Sequence, residues 1–176
     1  MQFRIKDIKK ETEDCSSLIL EKPKGFSFYA GQYLDVKLLV NDPLGNTRAF
    51  TISSSPTEDF LMISPKKGIT KFKKALENLK IGDIITTSHP AGTFILDETE
   101  SAIFIAGGIG ITPFRSMIKY ALDQKLITPI TLIYSNSDTN FLFLFACNLQ
   151  PFQTIFARDS SDSFYFDESL FLGEIR

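Results

Sequence analysis

Residues 103–114, IFIAGGIGITPF, carry an apolar run into a glycine turn and on into the opening of a helix. Ile103, Phe104, Ile105 and Ala106 form a short unbroken apolar segment, the pattern of a buried strand. Gly107, Gly108 and Gly110 supply the turn. A G-x-G-x-x-G fingerprint would start at Gly108 and pass through Gly110, but Pro113 stands in its last position. Helix N-termini leave backbone N–H groups unpaired and carry partial positive charge, so an anion settles there when glycines let it approach. Proline in the first helical turn costs nothing, because the N–H it lacks had no partner. GGIGITP therefore keeps the turn and the helix start and gives up only the close helix–strand contact of a third glycine. Spacing alone fits both an anion-binding loop and an ordinary glycine-rich strand–helix turn.

Downstream, helical periodicity runs from about Thr112 to Asp123, and an apolar strand follows from Ile130 to Tyr134. Strand, helix and strand make one βαβ unit, the start of a parallel sheet. Upstream, the acidic stretch LDETE at 96–100 fits a surface linker. The expected division is therefore a first domain over 1–98 and a second over 99–176. Before the linker the chain reads as all-β. QFRIKDI, SSLILEK, QYLDVKLLV, AFTISSS, FLMISPK and IITTS are short, apolar or alternating, and separated by Gly, Pro and Asn turns. Such spacing predicts a small antiparallel barrel. One helix interrupts it at 70–80, where Phe72, Ala75, Leu76 and Leu79 share a face and Thr70 is the candidate N-cap. From about 139 the pattern stops being readable. Residues 141–176 hold eight of the seventeen Phe and no Lys, and show neither a second helix nor a clean strand order.

Several function classes are excluded by composition. The 176 residues suffice for one ordinary domain or two small ones, and 23% charged residues suit a water-exposed globular surface. A net charge of −2 gives no reason to expect nucleic acid as a partner. The single histidine, His89, and the two cysteines, Cys15 and Cys147, are too few for a zinc site or an iron–sulfur cluster, so no metal is expected. The longest apolar candidate, FLFLFAC at 141–147, is about a third of the ~20 residues a membrane span needs. Isolated cysteines and a charged, strand-like N-terminus in place of a targeting peptide point to a cytoplasmic setting. His89 reads as a solvent-facing turn residue and Cys147 as a small core residue. Tyr29 and Tyr33 read as barrel packing. The cluster Lys66, Lys67, Lys71, Lys73 and Lys74 reads as a solvated face or, alternatively, as a surface for an acidic redox partner.

A second motif lies at 48–56, RAFTISSSP. Strand alternation puts Arg48, Phe50 and Ile52 on one face and Ala49, Thr51 and Ser53 on the other. Arginine matches phosphate with a two-pronged fork, an aromatic ring covers a flat heterocycle, and hydroxyls reach ring heteroatoms. Taken alone, the segment also fits a half-exposed strand with polar outward residues.

RAFTISSSP resembles the R-x-[YF]-[ST]-x-x-S flavin motif of the ferredoxin–NADP reductase-like flavoproteins, and GGIGITPFRSM resembles their G-G-x-G-[IL]-[AT]-P nucleotide motif, proline included. YAGQY (29–33), GITKFKKAL (68–76) and HPAGTF (89–94) match in the same order, so the resemblance covers roughly residues 2–137. The fold it implies is a β barrel plus α/β: a six-stranded antiparallel Greek-key flavin barrel, then a parallel-sheet nucleotide-binding domain that is incomplete here. It implies FAD as cofactor and NAD(P)H as electron donor. Arg48 would hold the FAD pyrophosphate, and Ala49 belongs to the same run. Phe50 would stack on the isoalloxazine ring. Thr51, the candidate catalytic residue, would hydrogen-bond near flavin N5. Ile52 and Ser53 would offer backbone groups to the ring edge, and Ser54 fills the last hydroxyl position. Gly68, Ile69 and Thr70 would meet the pyrophosphate. Gly107, Gly108, Gly110, Ile111, Thr112 and Pro113 would border the nicotinamide nucleotide. Electrons would pass to a separate acceptor such as ferredoxin or another redox protein.

The sequence departs from the family in its last third. About five parallel strands are expected there and two are legible, and the late C-G-x-x motif is missing, since Cys147 precedes Asn148. A truncated, frame-disrupted or divergent nucleotide domain would account for this, leaving the alternative of a flavin-binding electron-transfer module without its own nicotinamide site. The stretch Ser135-Asn136-Ser137-Asp138, read as the loop after the second parallel strand, has no cation for a 2′-phosphate and leans to NADH.

Overall fold

The computed structural model describes residues 1–136 and the backbone of two further strands, at 153–160 and 163–166. Strands β1 (Gln2–Lys10), β2 (Ser16–Glu21), β3 (Tyr33–Lys37), β4 (Thr47–Thr51), β5 (Phe60–Ile63) and β6 (Ile84–Thr87) form one antiparallel sheet in the order β4-β3-β6-β1-β2-β5. All six occur where the sequence places them. Alternation explains the inward face: Phe3 and Ile5 of β1 and Leu34 and Val36 of β3 are buried while their neighbours face outward. Fully burying such side chains contributes about 1.5–3 kcal/mol each. No ladder joins the two edge strands, but just past β4 the Ser53 N–H donates to the Met62 carbonyl of β5 at 2.7 Å. The sheet thus curls into a nearly closed barrel.

Helix α1 (Lys71–Glu77) plugs one end, inserting Phe72 and Leu76 into the barrel core. It is shorter than the predicted 70–80, because Asn78 already caps it. Thr70 is the N-cap: its hydroxyl accepts the Lys73 N–H at 3.2 Å.

The second sheet begins with β7 (Ala102–Gly107), which runs parallel to β8 (Ile130–Asn136). Between them lie a tight 3-10 turn, Gly108–Ile111, and helix α2 (Thr112–Asp123), with Pro113 in its first turn. Ser135 and Asn136 close β8 and are not loop residues; Ser137 and Asp138 lie outside the described residues, as does Cys147. The unreadable tail contains two strands: β9 (Gln153–Ser160) runs parallel to β8, and β10 (Ser163–Phe166) turns back antiparallel to β9. A buried parallel strand normally reads as a continuous apolar run. β9 ends in ARDS, so that test passes over it.

A second core fills the space between the sheets. Phe114, Met117 and Ile118 of α2 pack with Phe104, Leu132 and Tyr134, and the same cluster takes in Cys15, Ala30 and Met62 from the barrel side. Burial pushes the Cys15 thiol up to about 11, so it is an inert core group. Tyr29, expected to pack, is 68% exposed, whereas Tyr33 is half-buried as predicted. His89 is exposed, as read.

Gly31 makes the joint between the two halves possible. It sits at φ +102°, and a Cβ there would lie 2.2 Å from the Phe94 carbonyl oxygen and 2.4 Å from Met117 Cε. Gly31→Ala is expected to lower folding stability by about 2 kcal/mol or more, combining left-handed strain with displaced backbone. A urea melt with an unchanged midpoint would contradict this close approach.

Candidate functional site

A cleft of about 380 Å³ opens where the end of β4 meets the turn after β7. Ala49, Phe50 and Thr51 line one wall; Ile109, Gly110, Thr112 and Pro113 line the other; Ser64, Lys66 and Lys73 help close it. Its volume falls within the about 300–1,000 Å³ of small-molecule sites. The Thr51 hydroxyl has no hydrogen-bond partner among the described residues, so it remains available to a ligand. A Cβ at Gly110 or Gly107 would meet no atom of the described residues within 4 Å. Nothing in the fold demands glycine for room at those two positions, and a side chain at Gly110 would project into open space.

Phe50 is half-buried and stacks on Phe72 of α1, with ring centroids 6.3 Å apart and an interplanar angle of 16°. Lys73 Nζ lies 5.5 Å from the Phe50 centroid and donates to the Lys66 carbonyl at 2.8 Å. Burial holds the Lys73 ammonium below the usual lysine range. Reading this lysine cluster as a solvated face, or as a surface for an acidic redox partner, missed Lys66 and Lys73 as cleft residues; Lys73's place one residue after Phe72, on a helix packed beneath Phe50, was the available signal.

Arg48 is folded against its own loop. Nη1 donates to the carbonyls of Leu44 (2.8 Å), Gly45 (3.1 Å) and Thr47 (2.7 Å), and Nη2 reaches Asp42 Oδ1 at 3.4 Å. The guanidinium also lies over Phe72, 5.2 Å from the ring centroid. Gly68 and Ile69 are exposed, and the Gly68 N–H donates to Glu77 Oε1 at 3.1 Å.

Ile52, Ser53 and Ser54 do not line the cleft; all three are fully buried. The Ile52 N–H donates to the Gln32 carbonyl at 2.9 Å and the Ser53 N–H to Met62, so these donors are committed within the protein. Ser53 Oγ donates to the Met62 carbonyl, and Ser54 Oγ accepts the Met62 N–H. Ile111 is likewise fully buried in the second core, and Gly107 and Gly108 lead into the turn behind the cleft wall.

The serines instead carry the seam. Arg115 Nη1 donates to the Ser53 carbonyl at 2.8 Å, and its guanidinium grips Glu58 through both nitrogens at 2.8 and 3.1 Å. Ser116 Oγ donates to the Ser54 carbonyl at 2.6 Å. Thr57 completes the seam through Asp123. α2 is thereby tied directly behind the strand that presents Phe50 and Thr51. The continuation of GGIGITP into FRSM held this information, but nothing in the sequence says which backbone carbonyls Arg115 and Ser116 would meet.

Comparison with known proteins agrees with this architecture. Residues 104–161 match the family model of the oxidoreductase NAD-binding domain. A flavohemoprotein of Bacillus subtilis is 30% identical over 146 residues, covering 79% of this chain and 36% of its own length. The chain thus spans about a third of the curated relatives it matches. Among solved structures, phthalate dioxygenase reductase superposes with TM-score 0.76 at 25% identity, over 92% of this chain and 52% of that one. A ferredoxin NADP+ reductase from Neisseria gonorrhoeae, with bound FAD and NADP, gives TM-score 0.75 at 19% identity, over 89% and 67%. With its curled six-stranded sheet, its parallel second sheet and a cleft between them, the chain has the fold of the ferredoxin–NADP reductase-like proteins.

Proposed function

We propose that the chain is an FAD-dependent oxidoreductase, taking a hydride from NAD(P)H and passing electrons to a separate acceptor. One observation carries the reading: the cleft sets Phe50 and Thr51 of the first sheet opposite Gly110, Thr112 and Pro113 of the second. The donor set fits the cofactor. Phe50 offers a flat apolar surface for a flat ring, Thr51 an uncommitted hydroxyl, and Gly110 open space. Residues 1–98 would then form the flavin-binding half and 99–176 the nucleotide-binding half.

When bound, FAD would supply the hydride-accepting chemistry. The protein's part is position and electrostatics. Thr51 would hold its hydroxyl at the ring edge near N5, and Phe50, braced by Phe72, would keep the ring from tilting. Arg48 would turn its Nε–H edge, which has no partner among the described residues, toward the pyrophosphate beside Gly68, Ile69 and Thr70, with Ala49 at the cleft wall. Ile52, Ser53 and Ser54 would act from behind by fixing the end of β4. Gly107, Gly108, Gly110, Ile111, Thr112 and Pro113 would shape the nicotinamide side. Hydride transfer needs the donor carbon and the acceptor nitrogen within about 3–3.5 Å, so the seam that sets the width of the cleft would set the rate.

An anaerobic visible spectrum after FAD loading tests this directly. Near-stoichiometric bleaching of the flavin band by NADH or NADPH is expected. A flavin reduced only by dithionite would favour an electron-transfer module without its own nicotinamide site. No flavin binding at all would sink the proposal.

A further inference from the structure

Asp42, in the loop between β3 and β4, has no place in either motif, yet it is 6% exposed in a segment otherwise open to solvent. Its carboxylate meets four groups, the Thr70 side chain among them. Oδ2 accepts the Phe72 N–H of α1 at 2.8 Å. Oδ1 accepts the Leu44 N–H at 2.9 Å and faces Arg48 Nη2 at 3.4 Å. The backbone carbonyl of Asp42 accepts the Gly45 N–H at 2.9 Å, which closes the loop into a turn. Those backbone donors, Phe72 first and then Leu44, hold the Asp42 carboxyl below the usual range. The turn in turn aims the Leu44 and Gly45 carbonyls at Arg48 Nη1. One buried acid therefore ties the guanidinium of β4 to the first turn of α1, and Phe72, the residue it grips there, lies under Arg48 and against Phe50.

We propose that Asp42 is a positioning residue that pre-sets Arg48 for the diphosphate of a flavin dinucleotide. This rests on the flavin reading above. An unrestrained arginine loses several rotamers on meeting phosphate, whereas one already clamped through Nη1 and Nη2 presents its remaining edge at little further cost. The effect should fall on ligands that carry the diphosphate and spare those that lack it.

The test compares the affinities of FAD and riboflavin, which shares the ring but has no phosphate, in the unaltered chain and in Asp42→Asn. Asn keeps an oxygen for the Phe72 N–H and loses the charge. FAD binding is expected to weaken about tenfold relative to riboflavin. In an Arg48→Gln background the same change should leave the ratio where it was, because the residue through which Asp42 acts is gone. General loosening of the barrel would weaken both ligands together, and Asp42→Ser, which keeps a single acceptor, repeats the comparison should the Asn chain misfold. An unchanged ratio, or tighter FAD binding, overturns the positioning role while leaving the flavin reading intact. If the unaltered chain binds neither ligand, both fall.

Discussion

Arg115→Ala is expected to remove about 3–5 kcal/mol of folding stability, the usual loss when one member of a buried ion pair is deleted. The Arg115 and Glu58 side chains are 9% and 13% exposed, and the guanidinium holds both carboxylate oxygens and the Ser53 carbonyl. Truncation leaves the Glu58 charge facing a low-dielectric seam and an acceptor without its donor. Against a typical total of about 5–15 kcal/mol, roughly a fifth of the stability or more would go, and the melting temperature should drop by roughly 6–20 °C. Urea denaturation at neutral pH measures it. Replacing both partners with apolar residues of similar size should recover most of the loss, because no stranded charge then remains. A single-variant loss below about 1 kcal/mol would mean that the seam is held without Arg115, by the apolar cluster around Phe114 and Met117 and the Ser116 and Thr57 hydrogen bonds.

Gly110→Leu should reduce the rate of flavin reduction by NADH at least about a hundredfold while leaving bound FAD and the urea midpoint close to those of the unaltered chain. The fold tolerates a side chain there, since a Cβ meets no atom of the described residues within 4 Å. The cleft does not, because that open space adjoins Thr112 and Pro113, opposite Thr51. Displacing a reactant by about 1 Å can cost a hundredfold. Anaerobic stopped-flow absorbance separates the outcomes: slow bleaching with normal flavin content places the nucleotide at Gly110. Bleaching at the unaltered rate would put the nucleotide elsewhere and remove the turn after β7 from the site.

Much of the architecture was legible along the chain. Six strands, α1 and the first βαβ unit occur where period-2 and period-3.6 patterns put them, because those patterns record which side of each element must avoid water. Thr70 as a cap and Pro113 in a first helical turn follow from local backbone chemistry, which needs no distant partner. Phe50 and Thr51 against Gly110, Thr112 and Pro113 could be named as candidates from two short motifs. β9 and β10 were not legible, since β9 sets a short apolar centre between polar and charged residues, and only pairing with β8 selects a strand there.

What the sequence determined by itself was therefore every choice made within one element: strand or helix, inward or outward, capped or continued. Tertiary structure decided the choices that depend on which atoms arrive from elsewhere. Ser53 and Ser54 read as ligand groups by family resemblance, but α2 lands on them and claims their carbonyls for Arg115 and Ser116. Lys73 read as solvated by composition, but α1 seats it beside Phe50 in the cleft. Asp42 drew no reading from the sequence, but burial against Phe72 and Arg48 makes it a bracket. The physical reason is common to all three. Hydrogen bonds and burial are satisfied in space, and a residue's partner can lie 30 or 62 positions away with no trace in the local pattern.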